Sequence, residues 1–262
     1  MTFPQTPQAL RSLYDELLTN EIANPDKPDG QLFRAHSVSI HDGQKQIHTA
    51  PANEDEIVAR IKTFLAAQTS DSHRLVNALM GHFMFEYTHP FYDGNGRIGR
   101  FLLAFALIDA LSAPTAISMS HQFSQQRNKY YKAFEQVEVP LNRGEGTFFL
   151  MSMLNILTDA QRQLDESLSE KLRSLSSLRE KVMKEELPDY QAQILFILGQ
   201  AKLFGPDAPV AMNELQHYLN RSWNTVREQV VELEDLHYVT AVKKRPLEMK
   251  LTPKGLELLG LV

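Results

Sequence analysis

The sequence predicts a mainly α-helical protein built in two parts, and three observations carry that expectation. Apolar residues recur at three- and four-residue steps through most of the first 186 positions, which is the period of helices with one buried face. One hairpin pattern interrupts them, where Ser37-Val38-Ser39-Ile40 and Lys45-Gln46-Ile47-His48 flank Asp42-Gly43, a dipeptide suited to a tight turn. After Pro188 the pattern changes to three helices, two strands around Lys243-Lys244-Arg245-Pro246, and a last helix from Pro253 to Leu259. The expected division is a core of residues 1–158, a helical connector of 159–188 and a module of 189–262.

Composition bounds the function. A chain of 262 residues has room for one large core plus a smaller module. Its 43% hydrophobic and 23% charged residues are ordinary for a globular protein. A net charge of −5 argues against a chain-wide field for nucleic acid. With no cysteine, disulfides and thiolate metal sites are excluded. The N-terminus is polar and Pro-rich, and no apolar run reaches the length of a membrane span, so a cytoplasmic protein with no membrane partner is expected.

Each element has its own signal. Leu10, Leu13, Tyr14, Leu17 and Leu18 share a face, which predicts a helix from Leu10 to Glu21 before the loop Asn24 to Gly30. Asn53 caps a helix that has Glu54, Asp55 and Glu56 in its first turn and Ile57, Ile61, Phe64 and Leu65 facing inward. Asp71 or Ser72 opens the next helix, where Leu75, Leu79, Phe83 and Tyr87 recur with Val76 and Met80 beside them until Pro90 ends it. Phe101 to Ile108 is apolar all round and reads as a buried helix. Ser112-Ala113-Pro114-Thr115 is a break, Met119 to Val137 a helix, and Gly144 to Thr147 the cap of a helix over 148–156. From Asp159 to Glu186, Leu164, Leu168, Leu172, Leu175 and Val182 mark one amphipathic helix, which suits a spacer, a homodimer surface or the last helix of the core.

The chemistry concentrates in His89-Pro90-Phe91-Tyr92-Asp93-Gly94-Asn95-Gly96-Arg97-Ile98-Gly99-Arg100, a loop that opens a buried helix. Backbone N–H groups and the positive end of the helix dipole would point at whatever lies over Gly94, Asn95 and Gly96, and glycine lets the backbone come close. That is a phosphate cradle. Arg97 and Arg100 lie one turn apart, so both guanidinium groups would reach the same polyphosphate. Asp93 is placed to hold Mg²⁺ against those phosphates, and His89 to take a proton from an incoming hydroxyl. Two rival readings compete. Gly94 to Gly99 also satisfies GxGxxG, but the preceding strand is lacking and Asp109 comes too soon for the ribose carboxylate. His82, Glu86 and His89 fall at i, i+4 and i+7 and could line a metal site on one helix face, although Pro90 draws His89 out of the helix.

This stretch resembles the signature of the Fic (filamentation-induced-by-cAMP) domain family, His-x-Phe-x-Asp/Glu-Gly-Asn-Gly-Arg-x-x-Arg, and every fixed position matches. The resemblance implies a Fic-type helical core with a β-hairpin flap that transfers AMP from MgATP to a Ser, Thr or Tyr hydroxyl of a target protein. It implies that His89 is the general base, Phe91 a core anchor, Asp93 the Mg²⁺ ligand, and Gly94, Asn95 and Gly96 the anion hole, with Arg97 and Arg100 on the β- and γ-phosphates. The hairpin resembles the family's flap, so Val38, Ser39, Ile40, Gln46, Ile47 and His48 are expected to hold the target segment as an added strand. Asn128 to Phe134 is similar to the late Fic helix bordering the nucleotide, which places Tyr130 or Tyr131 against adenine. In many Fic proteins a Ser/Thr-x-x-x-Glu-Gly/Asn helix lays its glutamate on the second motif arginine. Here Ser12 to Glu16 has the spacing but is followed by Leu17, and Ser176 to Glu180 is followed by Lys181, so both read as chance. A separate inhibitory partner that brings such a glutamate stays open, as does removal of AMP in place of its addition.

The second part resembles a winged helix-turn-helix. Ile194, Ile197 and Leu198 belong to a first helix and Met212 to Leu219 form a second. Asn220-Arg221-Ser222 is the turn, and Trp223 to Leu236 a third helix with Val226, Val230 and Leu233 inward. In such folds the third helix enters the major groove, which would use Arg221, Asn224, Thr225 and Arg227 with the wing tip Lys243, Lys244 and Arg245. Residues 189–262 hold 8 Lys/Arg against 9 Asp/Glu, so the module is not basic as a whole. DNA and protein partners both stay open, and a DNA-binding regulator that only senses a nucleotide is the reading outside catalysis.

Overall fold

The computed structural model describes residues 2–42, 45–70, 72–206 and 209–261, with only the backbone over 40–42 and 45–49. It is mainly helical and divides into two units, Met1–Asp165 and Glu166–Val262.

The first unit begins with α1, Pro7–Leu18, earlier than the sequence pattern places it. Thr6 is the reason: its side chain accepts from the Ala9 N–H at 3.1 Å, and Pro7 is preset for a first helical position. The expected continuation to Glu21 ends in a turn instead, where the Glu21 N–H bonds Leu18 O. The hairpin forms from β1, Ser39–Asp42, and β2, Lys45–Thr49, antiparallel with Ile40 opposite His48 and an irregularity between Ile40 and His41. Its expected turn residue Gly43 lies outside the described residues.

Helix α2, Glu54–Gln68, is capped by Asn53 as its acidic first turn suggests. Helix α3, Arg74–Thr88, opens at a left-handed His73, later than Ser72, while Asp71 lies outside the described residues. Its buried line is Ala78, Leu79, His82 and Phe85, because α3 packs between α2 and α4 and so buries two sides. Helix α4, Asn95–Ala110, buries Ile98, Leu102, Leu103 and Leu107, but Ile108 is 43% exposed, so it is not buried all round. The helix expected over Met119 to Val137 is two, α5 at Ala113–Gln125 and α6 at Arg127–Glu138. Gln126 breaks them, and its amide bonds Gln122 and the Asp159 carboxylate at 2.9 and 3.0 Å. Conversely, one helix, α7 at Thr147–Lys184, replaces the two expected over 148–156 and 159–186. No Gly or Pro interrupts that stretch, and Ala160 is buried within it. Two apolar clusters fill the unit: Leu10, Tyr14, Phe33, Phe85 and Phe91 are in one, and Leu79, Leu107, Phe149 and Ile156 in the other.

The second unit holds α8, Asp189–Phe204, α9, Met212–Leu219, and α10, Trp223–Asp235. Asn220 in the left-handed region and the Ser222 side-chain cap make the turn between α9 and α10. A three-stranded sheet has the order β3 (Val210–Ala211), β5 (Leu247–Leu251), β4 (Val239–Lys244), and α11, Pro253–Leu258, follows. Ile194, Leu215, Val230, Leu233 and Met249 form its core with Leu178 and Val182.

Candidate active site

The site is built where α3 stops. His89 is the residue after Thr88, and its N–H still bonds Phe85 O at 3.0 Å, but its backbone is left-handed with φ 49° and ψ 63°. For a non-glycine residue that conformation costs about 1–3 kcal/mol and persists only when the surroundings enforce it. The His89 carbonyl accepts from Arg34 Nε at 2.8 Å. His89 Nδ1 faces the Glu86 carbonyl at 3.3 Å, which favours the tautomer with the proton on Nδ1 and the lone pair on Nε2.

Two side chains then shape the loop. Phe91 is fully buried, stacked on Tyr14 with centroids 3.7 Å apart and edge-on to Phe33 at 5.5 Å, in the anchoring position the sequence suggests. Burial of such a ring is worth about 1.5–3 kcal/mol. Asn95, also buried, reaches back to the same residue: its Oδ1 accepts from Phe91 N at 2.9 Å and its Nδ2 donates to Phe91 O at 2.7 Å. The Asn95 amide is therefore spent on loop shape, and what it offers a ligand is its backbone.

Helix α4 opens on this loop. Gly94 caps it at φ 86°, and a Cβ there would stand 2.7 Å from Leu18 Cδ1, so glycine is required twice over. The Arg97 N–H bonds Gly94 O at 3.1 Å, while the N–H groups of Asn95 and Gly96 open the helix with no carbonyl a turn earlier to take them. Arg100 folds back over this end, since a Cβ on Gly96 would lie 3.0 Å from its Nη1. Asp93 sits at the rim, its Oδ1 accepting from Gly94 N at 2.6 Å, its Oδ2 from Arg97 at 3.2 Å and its carbonyl from Tyr14 Oη at 3.1 Å. Burial, then the Asp93 charge, pushes the Tyr14 phenol up to about 12.

The two arginines do not converge as their spacing suggests. Arg97 is exposed and bonds Asp93 and Glu21. The acidic contact on the motif thus comes from Glu21, beyond the end of α1, while Glu16 is exposed on that helix. Arg100 faces a buried polar group formed by Glu86, His82 and Tyr130. Glu86 keeps some exposed surface, but its Oε1 is sealed and has no hydrogen-bond partner among the described residues; burial raises its carboxyl to about 7 against the pull of Arg100. Burial, and then Arg100, holds His82 down at about 3, so it is neutral.

That geometry corrects two sequence readings. The metal site of His82, Glu86 and His89 does not form: both His82 nitrogens are committed, to Gly99 O at 3.2 Å and Tyr130 Oη at 2.7 Å. No group of three His, Cys, Asp or Glu among the described residues could hold a metal ion. Tyr130 is 3% exposed and packs on Phe123 and Phe134, which makes it a core residue with no open face for adenine. Tyr131 is 47% exposed, with Arg127 over its ring at 5.5 Å. The dinucleotide reading fails as well, because helix α3 and not a strand leads into the glycines.

Of the hairpin residues, Val38 is half-buried and Ser39 exposed, while the side chains of Ile40, Gln46, Ile47 and His48 lie outside the described residues. In the second unit, Arg221 bonds Tyr190 Oη at 2.6 Å, Arg227 pairs with Glu234 at 2.9 Å and Lys243 with Glu248 at 2.9 Å. Asn224, Lys244 and Arg245 are exposed, and Thr225 shares the Ser222 cap. Sequence reasoning missed the roles of Arg34 and Glu21, and read Glu86 and His82 as metal ligands where the structure gathers them with Tyr130 beside Arg100; each role depends on partners far along the chain.

Known proteins resemble this chain in sequence and in fold. Residues 4–107 match the family model described as "Fic/DOC family". The chain is 31% identical over 117 residues to "Protein adenylyltransferase Fic" of Drosophila yakuba and of Drosophila melanogaster; the match covers 44% of this chain and 22% of each relative. A solved Fic family protein from Desulfovibrio desulfuricans G20 superimposes with a TM-score of 0.55 at 20% identity, over 96% of this chain and 70% of that one, a likeness of fold. Family model, curated relatives and solved structure together support a Fic domain in the first part of this chain.

Proposed function

We propose that the first unit transfers AMP from MgATP to a Ser, Thr or Tyr hydroxyl of a target protein. The observation that carries the reading is the start of α4: a glycine-lined helix N-terminus with Arg100 folded over it, entered by a loop whose first residue, His89, is held in a left-handed backbone at the end of α3. The named activity of the adenylyltransferase relatives supports it. In the reaction the target hydroxyl oxygen forms a bond to the α-phosphorus, the bond from that phosphorus to the β-phosphate bridge breaks, and His89 Nε2 takes the hydroxyl proton. Pyrophosphate leaves toward the arginines and the helix N-terminus, which stabilise its charge.

Asp93 fits Mg²⁺. Its carboxylate is exposed at the edge of the cradle, and Mg²⁺ usually takes one or two protein carboxylates plus phosphates and water, so no protein cage is needed. When bound there, the ion would neutralise phosphate charge. The hairpin β1–β2 serves as the docking strand for the target.

The second unit we read as a winged-helix module, supported by the α9–turn–α10 order and the β4–β5 hairpin. Its basic residues are partly engaged by Glu234, Glu248 and Tyr190, which favours a protein partner over DNA. Incubation with Mg²⁺ and α-labelled ATP, alone and with host lysate beside His89→Ala, tests the transfer. A labelled protein band that disappears in the variant is expected, and label of equal strength in both would refute the role of His89.

A further inference from the structure

Arg34 lies outside the motif, 55 positions before His89, and its side chain is fully buried. Its guanidinium is committed to main-chain carbonyls. Nε donates to His89 O at 2.8 Å, Nη2 to Thr88 O at 3.3 Å, and Nη1 to Pro51 O at 2.8 Å and also to His36 O. Its own main-chain N–H bonds Pro90 O at 3.1 Å. Thr88, His89 and Pro90 are consecutive: the last helical residue, the left-handed residue and the one that follows. His36 and Pro51 stand just before and just after the β1–β2 hairpin.

The physical chemistry makes this a rigid clamp. Burial lowers the Arg34 pKa, which reports the cost of keeping a cation out of water. Carbonyl dipoles can offset that cost only while each is aimed at the guanidinium, so a drift of any one leaves a buried charge underserved. The planar fork also fixes angles as well as distances, which an ammonium would not.

We infer that Arg34 is a positioning residue that locks His89 in its left-handed conformation and joins it to both roots of the β1–β2 hairpin. The general base and the strand that receives the target are thereby set by one side chain. This rests on the AMP-transfer reading for its catalytic consequence, but the lock on His89 stands apart from it.

The test uses the full chain with Arg34→Met, which keeps bulk without donors, and Arg34→Lys, which keeps the charge without the fork. For folded protein, judged by thermal unfolding, Arg34→Met should lower kcat for transfer about 100-fold, as a small misplacement of a reacting group does, with MgATP affinity near that of the wild type. Arg34→Lys should recover part of the loss. In parallel, the His89 ring signal in NMR, identified by its absence from His89→Ala, should shift in Arg34→Met. Wild-type transfer in Arg34→Met, or loss of MgATP binding in proportion to transfer, would overturn the inference. If the wild type transfers nothing, the AMP-transfer reading fails by itself; the ring signal then decides, since an unchanged signal refutes the lock and a shifted one upholds it.

Discussion

Glu21 Oε2 and Arg97 Nη1 meet at 2.5 Å, although 76 positions separate them in the chain. The segment just beyond α1 therefore places a carboxylate on one of the two motif arginines, where a phosphate of the proposed substrate would lie. Both side chains are substantially exposed, so the pair is worth at most about 1 kcal/mol. Glu21→Gln should tighten MgATP binding by up to about fivefold at low salt, and the gain should shrink as salt rises. Calorimetry on both proteins at two salt concentrations reads this, and unchanged affinity would show that the pair opens without cost.

His89→Ala should lower the transfer rate by about 10² to 10⁴, the usual worth of a general base, while MgATP binding stays close to normal. Binding is expected to survive because the helix N-terminus and Arg100 do not need the imidazole. Parallel loss of binding and rate would assign His89 a structural role.

Glu86 makes stability depend on pH. Its carboxyl titrates near 4.5 when unfolded and near 7 in the fold, raised by burial. The folded protein thus binds the extra proton between those values, so this contribution is complete below 4.5 and is lost as pH rises through 7. His82 acts in the opposite sense: buried neutral, it stabilises above its ordinary 6.5 and loses that as pH falls toward 3. Glu86→Gln should remove the first effect alone and gain about 1–3 kcal/mol over the wild type at pH 8. Urea unfolding from pH 5 to 8 measures it, and parallel curves for the two proteins would sink the idea.

The second unit should bind random duplex DNA weakly. With Arg227 and Lys243 in ion pairs and Arg221 on Tyr190, a plot of log K against log salt should have a slope no steeper than about −3. Gel shifts across a salt series give the slope. A value of about −6 or beyond would mean that those pairs open onto phosphate and would restore the DNA reading.

The sequence was most legible where the reason for a residue is local. Asn53 caps α2 because a side-chain oxygen and an N–H three residues on suffice. The loop from His89 to Arg100 could be read because glycine at a left-handed cap and a helix N-terminus are properties of adjacent residues. It was illegible where a partner comes from far away. Nothing local marks Gln126 as a helix break, since no glycine or proline stands there and its amide answers to Asp159 on α7.

By itself, then, the sequence determined which stretches are mostly helical, where the hairpin lies and which loop opens a helix on glycines, because helix period, turn preference and helix-terminus backbone act over a few residues. Only the tertiary structure decided what each charged side chain faces. Arg97 turned to Glu21, Arg100 to Glu86, and Arg34 to the carbonyls around His89. Burial and distant partners set those choices, and both depend on how the chain closes on itself.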